Sequence, residues 1–356
     1  MTALQRKLDN YSNWRHDLLT ELEAYKSWLD DEDLLEGEEE LRVLELIDSI
    51  KSDKIILALV AEFSRGKTEL INSIFFADYN KRLLPSSVGR TTMCPTEICY
   101  IEKEPPYILL LPIETRKSSL SVDEYKEAAV NWSRIELDID SPDQMTEALL
   151  QLIKTKEITE QEAKELGFPP HTLELKENNK LQVPVWRHAV VNYPHPLLKS
   201  GLVILDTPGL NALGTEPELT LNMLPKAHTI MFILAADTGV TRSDMDIWRN
   251  HISVALNPRE QNVMAVLNKI DTMWDDLHDD SFTQANIRRQ IEETARILDI
   301  DEDLVVPVSA QKGLIAKIRN DRLMLNRSGL PKLEEKLDAA GVPWTAGRGW
   351  SPGDGN

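Results

Sequence analysis

Cysteine is nearly missing from these 356 residues: Cys94 and Cys99 are the two that occur. Two cysteines cannot staple a chain of this size, and they lack the second pair that a structural zinc site uses, so a reducing, cytoplasmic compartment is expected. Histidine is also sparse, with seven scattered residues and no paired ligand spacing, which leaves no histidine-based metal site to read. Basic charge is short as well: 40 Lys and Arg face 59 Asp and Glu, a formal net charge of −19. Such a balance repels phosphate backbones and anionic lipid, so nucleic acid is excluded as a partner and this chain alone is expected not to bind membranes. No run of about 18 apolar residues occurs, and the opening MTALQRKLDN has no charged-then-apolar leader pattern. What remains, 42% hydrophobic and 28% charged, is an ordinary globular composition.

Charge divides the chain unevenly. Residues 1–50 hold five basic side chains against fourteen acidic ones, and Leu4, Leu8, Tyr11, Trp14, Leu18, Leu22, Tyr25, Trp28 and Leu29 step by three or four. This pattern predicts an acidic helical arm with one apolar stripe, which either packs on the body of the same chain or docks a partner helix. From residue 51 to about 340 the pattern is that of one α/β domain. Near-continuous apolar runs at 55–60, 202–205, 229–235, 262–268 and 305–308 predict strands buried on both faces. Helices are expected between them near 67–77, 242–256 and 281–298, so the fold predicted is α/β, with a mainly parallel central sheet flanked by helices. Residues 113–180 interrupt this alternation and read as a polar, helical insertion. Ser141-Pro142 marks one helix start, and Thr159 with Glu162 forms a capping box whose helix ends at Gly167. The last sixteen residues, 341–356, hold five glycines and no apolar period and are expected to be disordered.

Chemistry concentrates where predicted strands end. Ala61-Glu-Phe-Ser64-Arg65-Gly66-Lys67-Thr68 follows the first strand and opens a helix. This is the setting of a phosphate-binding loop: successive N–H groups and the helix N-terminus face the phosphates, Lys67 reaches the β- and γ-phosphates, and the Thr68 hydroxyl holds Mg²⁺. Ala61 stands where the usual pattern has its first glycine, and its methyl is expected to crowd the loop. Arg65 either acts as an internal arginine finger or pairs with an acid such as Glu62 or Glu69. A second strand ends in Asp206-Thr-Pro-Gly209, where Asp206 holds Mg²⁺ through water and the Gly209 N–H faces the γ-phosphate.

A third strand runs into Asn268-Lys269-Ile-Asp271. A carboxylate there accepts from guanine N1–H and the N2 amine together, whereas adenine offers no such donor pair, so Asp271 selects guanine. Asn268 ties the loops together, the Lys269 stem covers one base face, and Ser309-Ala310 after the last strand meets guanine O6. The ligands implied are GTP and GDP with Mg²⁺.

The order of these motifs is that of the Ras-like GTPases, and EFSRGKTELINSIF, LLPSSVGRTTMCPTEI and GLVILDTPGLNA together resemble the bacterial branch of the dynamin-like GTPases over about residues 38–340. The resemblance implies a P-loop GTPase domain whose first-switch threonine, here Thr92 in Thr92-Met-Cys-Pro95, binds Mg²⁺ and positions the attacking water. Leu210 stands where many small GTPases carry a water-orienting glutamine and can neither donate nor accept. The resemblance gives that task to Thr92 and to Ser64 of the phosphate loop, completed when two GTPase domains pair face to face as a nucleotide-dependent homodimer. It also implies a membrane-remodelling or membrane-associated mechanoenzyme, the alternative being a slow-turnover GTP-binding switch or scaffold. No stalk follows the domain, so either the chain is truncated or a separate stalk-bearing partner recruits it to the membrane. Cys94 and Cys99 flank the switch segment and read as packing thiols.

Overall fold

The computed structural model describes residues 3–31, 43, 47, 50, 54–79, 81–84, 94–170, 173–176, 178–207, 223–255, 262–274 and 280–339. Nine strands form one sheet: β1 (Ile55–Ala61), β2 (Thr96–Cys99), β3 (Tyr107–Pro112), β4 (Ser133–Glu136), then β8 (Trp186–Asn192), β9 (Leu202–Asp206), β10 (Thr229–Ala235), β11 (Asn262–Asn268) and β12 (Val305–Pro307). Across the sheet the order is β12-β11-β10-β1-β9-β2-β8-β3-β4. The five strands from β12 to β9 run parallel, β2 joins β9 antiparallel, and β8 and β3 continue with one parallel and one antiparallel pairing. The parallel half coincides with the five apolar runs of the sequence. Their continuity has a physical cause: alternate residues enter opposite layers, with Leu57, Leu59, Met231, Ile233, Met264 and Val266 in one core and Ala58, Val60, Phe232, Leu234, Ala265 and Leu267 in the other.

Helices cover both faces. The helix Lys67–Phe75 is buried along its whole length and shares the first core with Ala310–Arg319 and Leu330–Ala339. On the opposite face Ile247, Trp248 and Ile252 of the segment starting at Arg242, and Ile287, Ala295 and Leu298 of Asp280–Leu298, close the second core. The N-terminal helix, Ala3–Asp31, runs against Leu330–Ala339 and the short helix Pro196–Lys199. Its stripe is only partly covered: Leu18, Leu22 and Leu29 are half-buried, while Trp14, Tyr25 and Trp28 stay exposed. Leu4, Leu8 and Tyr11 have side chains outside the described set, as do residues 341–356.

The segment 113–180 departs from the helical expectation. Its helices are present, at Val122–Ala128, Pro142–Leu149 and Glu160–Glu165, and both sequence-read starts form: Ser141 accepts from the Gln144 N–H, and Thr159 and Glu162 close a capping box. The segment also contains β4, and β5 (Thr155–Ile158) and β6 (Glu174–Leu175) pair with β7 (Leu181–Pro184) in a separate three-stranded sheet. These strands escape a periodicity reading because each is short and carries charge on its open face; Ser133, Arg134 and Glu136 of the edge strand β4 are all exposed. Cys94 and Cys99 are buried, and burial pushes the Cys99 thiol up to about 11, as expected of an inert packing group.

Candidate functional site

Parallel strands end together, so the loops that leave them meet on one edge. Register places Asp206 of β9 beside Leu59, two residues before the end of β1, and Asn268 of β11 beside Ala235 at the end of β10. Ala61, the departure from the usual loop pattern, is the last residue of β1. It pairs with Ile233, is fully buried in the first core, and has no positive φ. The expected crowding does not occur, because at this position the chain is still an ordinary strand and the methyl points into packed side chains. Ala61→Gly should therefore leave nucleotide affinity within about threefold of wild type and lower stability by about 0.5–1 kcal/mol, measured by titration and chemical unfolding.

The loop itself turns through two left-handed residues, Ser64 at φ 62° and Gly66 at φ 88°. Gly66 is required twice: its backbone is left-handed, and a Cβ there would stand 2.3 Å from Asn268 Nδ2. The helix then begins at Lys67. Lys67 Nζ forms an ion pair with Asp206 Oδ1 at 2.5 Å, with both side chains only 8% exposed. Apart from this pair the ammonium has no hydrogen-bond acceptor among the described residues, so its remaining donors suit an incoming phosphate. Thr68 is buried beside it, and Thr207 donates its hydroxyl to the Leu59 carbonyl at 2.8 Å, bracing the end of β9.

Arg65 corrects both sequence readings in part. Its guanidinium pairs with Glu62 as expected, at 2.8 Å, but also with Asp244 at 2.9 Å, and the group is buried rather than on the surface. Glu69 is engaged elsewhere, with Arg82 at 2.7 Å. With its donors turned toward these acids, Arg65 is not arranged as a finger.

Asn268 is the joint between loops. Its Nδ2 donates to the Arg65 carbonyl at 2.9 Å and its Oδ1 accepts from the Ala310 N–H at 3.0 Å. Lys269 takes a left-handed backbone, φ 64° and ψ 31°, which turns the chain so that Asp271 comes back under the strand end. The Ser309 hydroxyl donates to Asp271 Oδ1 at 2.6 Å and caps the helix that starts at Ala310 by accepting from the Lys312 N–H. A cleft of about 340 Å³ lies between them, lined by Gly66, Glu69, Arg82, Asn268, Lys269, Asp271, Thr272 and Gln311. The structure thus brings together Ser64, Arg65, Gly66, Lys67, Thr68, Asp206, Asn268, Lys269, Asp271, Ser309 and Ala310. Thr92, Gly209 and Leu210 lie outside the described residues.

Sequence reasoning missed Arg82 and Asp244. Arg82 lies 13 residues from its partner Glu69, and Asp244 lies 179 residues from Arg65, so no periodicity joins either pair. One local signal did exist for Asp244, which closes a Thr241-x-x-Asp244 capping box.

A phosphate-loop motif, a buried lysine–aspartate pair, and Asn268 and Asp271, all at the ends of parallel strands, are the arrangement of a P-loop GTPase domain. Residues 57–270 match the Dynamin family, and the chain belongs to that family. It is 24% identical over 294 residues to the bacterial dynamin-like protein of Nostoc punctiforme, an alignment covering 79% of this chain and 36% of that protein. It is 30% identical over 156 residues to a probable transmembrane GTPase FZO-like, chloroplastic, of Arabidopsis thaliana, covering 43% of this chain and 16% of that one. Among solved structures, one described as an oligomerised bacterial dynamin pair providing a mechanism for long-range sensing and tethering of membranes superposes with a TM-score of 0.53 at 18% identity, over 93% of this chain and 44% of that chain. This last likeness is one of fold. The chain therefore spans less than half the length of each of these proteins.

Proposed function

We propose that this chain is a Mg²⁺-dependent GTP hydrolase, the GTPase module of a membrane-remodelling or membrane-associated mechanoenzyme, with its GTPase domain at 51–340 and its acidic arm at 1–50. The carrying observation is Asn268, which joins the Arg65 carbonyl of the phosphate loop to the Ala310 N–H of the base pocket and so holds both ends of a nucleotide at a set distance. In this reading the loop N–H groups and Lys67 bind the β- and γ-phosphates, and Asp271 accepts from guanine N1–H and N2 while Ser309 orients it. Thr68 and Asp206 supply oxygen donors of the kind Mg²⁺ prefers, and both are buried beside the phosphate loop. A cation held by them would neutralise charge on the β- and γ-phosphates. Thr92 and Ser64 hold the attacking water, and Gly209 offers its N–H to the γ-phosphate. The easy fit of Ala61 in β1 supports turnover over the slow-switch alternative.

The proposal extends to assembly. A solved relative in fold is described as an oligomerised pair, and we place the pairing of this chain on its GTPase face, with membrane recruitment through a stalk-bearing partner. No helix among the described residues is long and apolar enough to cross a membrane. Phosphate release should require Mg²⁺, and specific activity should rise with protein concentration, with the GDP–aluminium fluoride complex eluting as a dimer. Flat activity across roughly a hundredfold dilution, with a monomeric transition-state complex, would remove the dimer from the proposal.

A further inference from the structure

We propose that Arg65 and Asp244 form a clamp that sets the place of Ser64, which makes both of them positioning residues for GTP hydrolysis. The inference rests on the hydrolase reading above and adds to it a role for the turn 241–244, which lies outside the nucleotide-binding motifs.

The clamp has two jaws. Arg65 Nε donates to Asp244 Oδ1 at 3.1 Å and Nη2 donates to Asp244 Oδ2 at 2.9 Å, a two-pronged pairing. Nη2 also donates to Thr241 Oγ1 at 3.1 Å and to Glu62 Oε2 at 2.8 Å, and Nη1 donates to Thr238 Oγ1 at 3.3 Å. Glu62 is itself held, accepting from the Ser243 hydroxyl at 2.8 Å. The residues on either side of Phe63-Ser64 are therefore both tied to the same helical turn on another element. Asp244 is fully buried and accepts in addition from the Thr241 N–H at 2.9 Å and its hydroxyl at 2.7 Å.

Ser64 needs such support. It is a non-glycine residue in the left-handed region, a backbone state that persists only where the surroundings impose it. On its far side Arg65 offers its carbonyl to Asn268, so one residue couples the phosphate loop to the turn 241–244 through its side chain and to the base pocket through its backbone. Burying an ion pair is poor economy for stability alone, since apolar residues of similar volume commonly serve as well. Donor contacts from one guanidinium to four side chains, Glu62, Thr238, Thr241 and Asp244, specify geometry. Lysine cannot replace the fork, because one ammonium cannot span both carboxylate oxygens and two hydroxyls.

The test compares the whole chain with Arg65→Lys, Asp244→Asn and the double variant, using steady-state GTP hydrolysis and hydrogen exchange of amides 62–66 in nucleotide-free protein. Each single variant should lower kcat by about ten- to a hundredfold, as small displacements of reacting groups do, while KM moves by less than about threefold. The double variant should be no slower than the slower single, since both remove one interaction. Exchange at 62–66 should accelerate in all three. An arginine acting as a finger would behave differently: Asp244→Asn would leave kcat intact or raise it. That result, additive losses in the double variant, or unchanged exchange at 62–66 would each overturn the clamp. Should the wild-type chain fail to hydrolyse GTP, the hydrolase reading falls, and the exchange measurement still decides whether the clamp holds the loop.

Discussion

Asp271→Asn should cost this protein about 3–4 kcal/mol of GTP affinity, on the order of a hundred- to a thousandfold in Kd, while improving its affinity for xanthosine triphosphate. The carboxylate can receive two donors from guanine, and hydrogen bonds to a charged acceptor are each worth about 1.5–3 kcal/mol. Asparagine keeps one oxygen, which can still accept from Ser309 in place of Oδ1, now 2.6 Å from that hydroxyl. The new amide donor, however, opposes the guanine N2 amine and matches the oxygen xanthine carries there. The pocket should stay folded, because Asn268, Lys269 and Ser309 are held by their own contacts. Titration with labelled GDP, competed by GTP, XTP and ATP, reads the effect directly. Wild-type protein that binds ATP and GTP equally would refute the assignment of the base pocket.

Lys67→Ala should lower GTP turnover by at least about a hundredfold, the scale seen when a preorganised charge is taken from a developing anion. It should also weaken binding, for a reason visible without nucleotide. Lys67 neutralises Asp206 across 2.5 Å in a buried setting, so alanine leaves a carboxylate facing the phosphates without that counter-charge. Breaking a buried pair by removing one partner costs about 3–5 kcal/mol, and the nucleotide-free variant should melt earlier as a result. Asp206→Asn removes the opposite member and should instead raise the Mg²⁺ concentration needed for half-maximal activity. Thr92→Ala offers a contrast, with kcat falling far more than nucleotide affinity, since its proposed role lies in the transition state. Phosphate release and melting curves for the three variants separate these roles. A Lys67→Ala enzyme within about tenfold of wild-type turnover would show that another cation meets the phosphates.

The parallel half of the sheet was legible in the sequence because burial on both faces demands unbroken apolar runs, and each of the five runs became a strand of that half. Caps were legible too, since Ser141 and Thr159 need only residues three positions away. So was the gathering of Ser64 to Thr68, Asp206, Asn268 to Asp271 and Ser309-Ala310 on one edge: these segments sit at or just after strand ends, and strands that run the same way release their loops on the same edge. The added strands were not, because short segments carrying charge on an open face give no period strong enough to distinguish them from helix or loop. Neither was the fate of Ala61, whose methyl is harmless only because β1 extends to it, nor the second partner of Arg65. Glu62, three residues away, was within reach of a local reading. That the arginine also takes Asp244 depends on the crossover that carries β10 to the neighbourhood of β1, and on a capping box that turns Asp244 toward the loop. Local spacing determines helices, strand ends and the order of motifs. Pairing between groups 179 residues apart is decided by topology, because the geometry that joins them exists only once the sheet has closed.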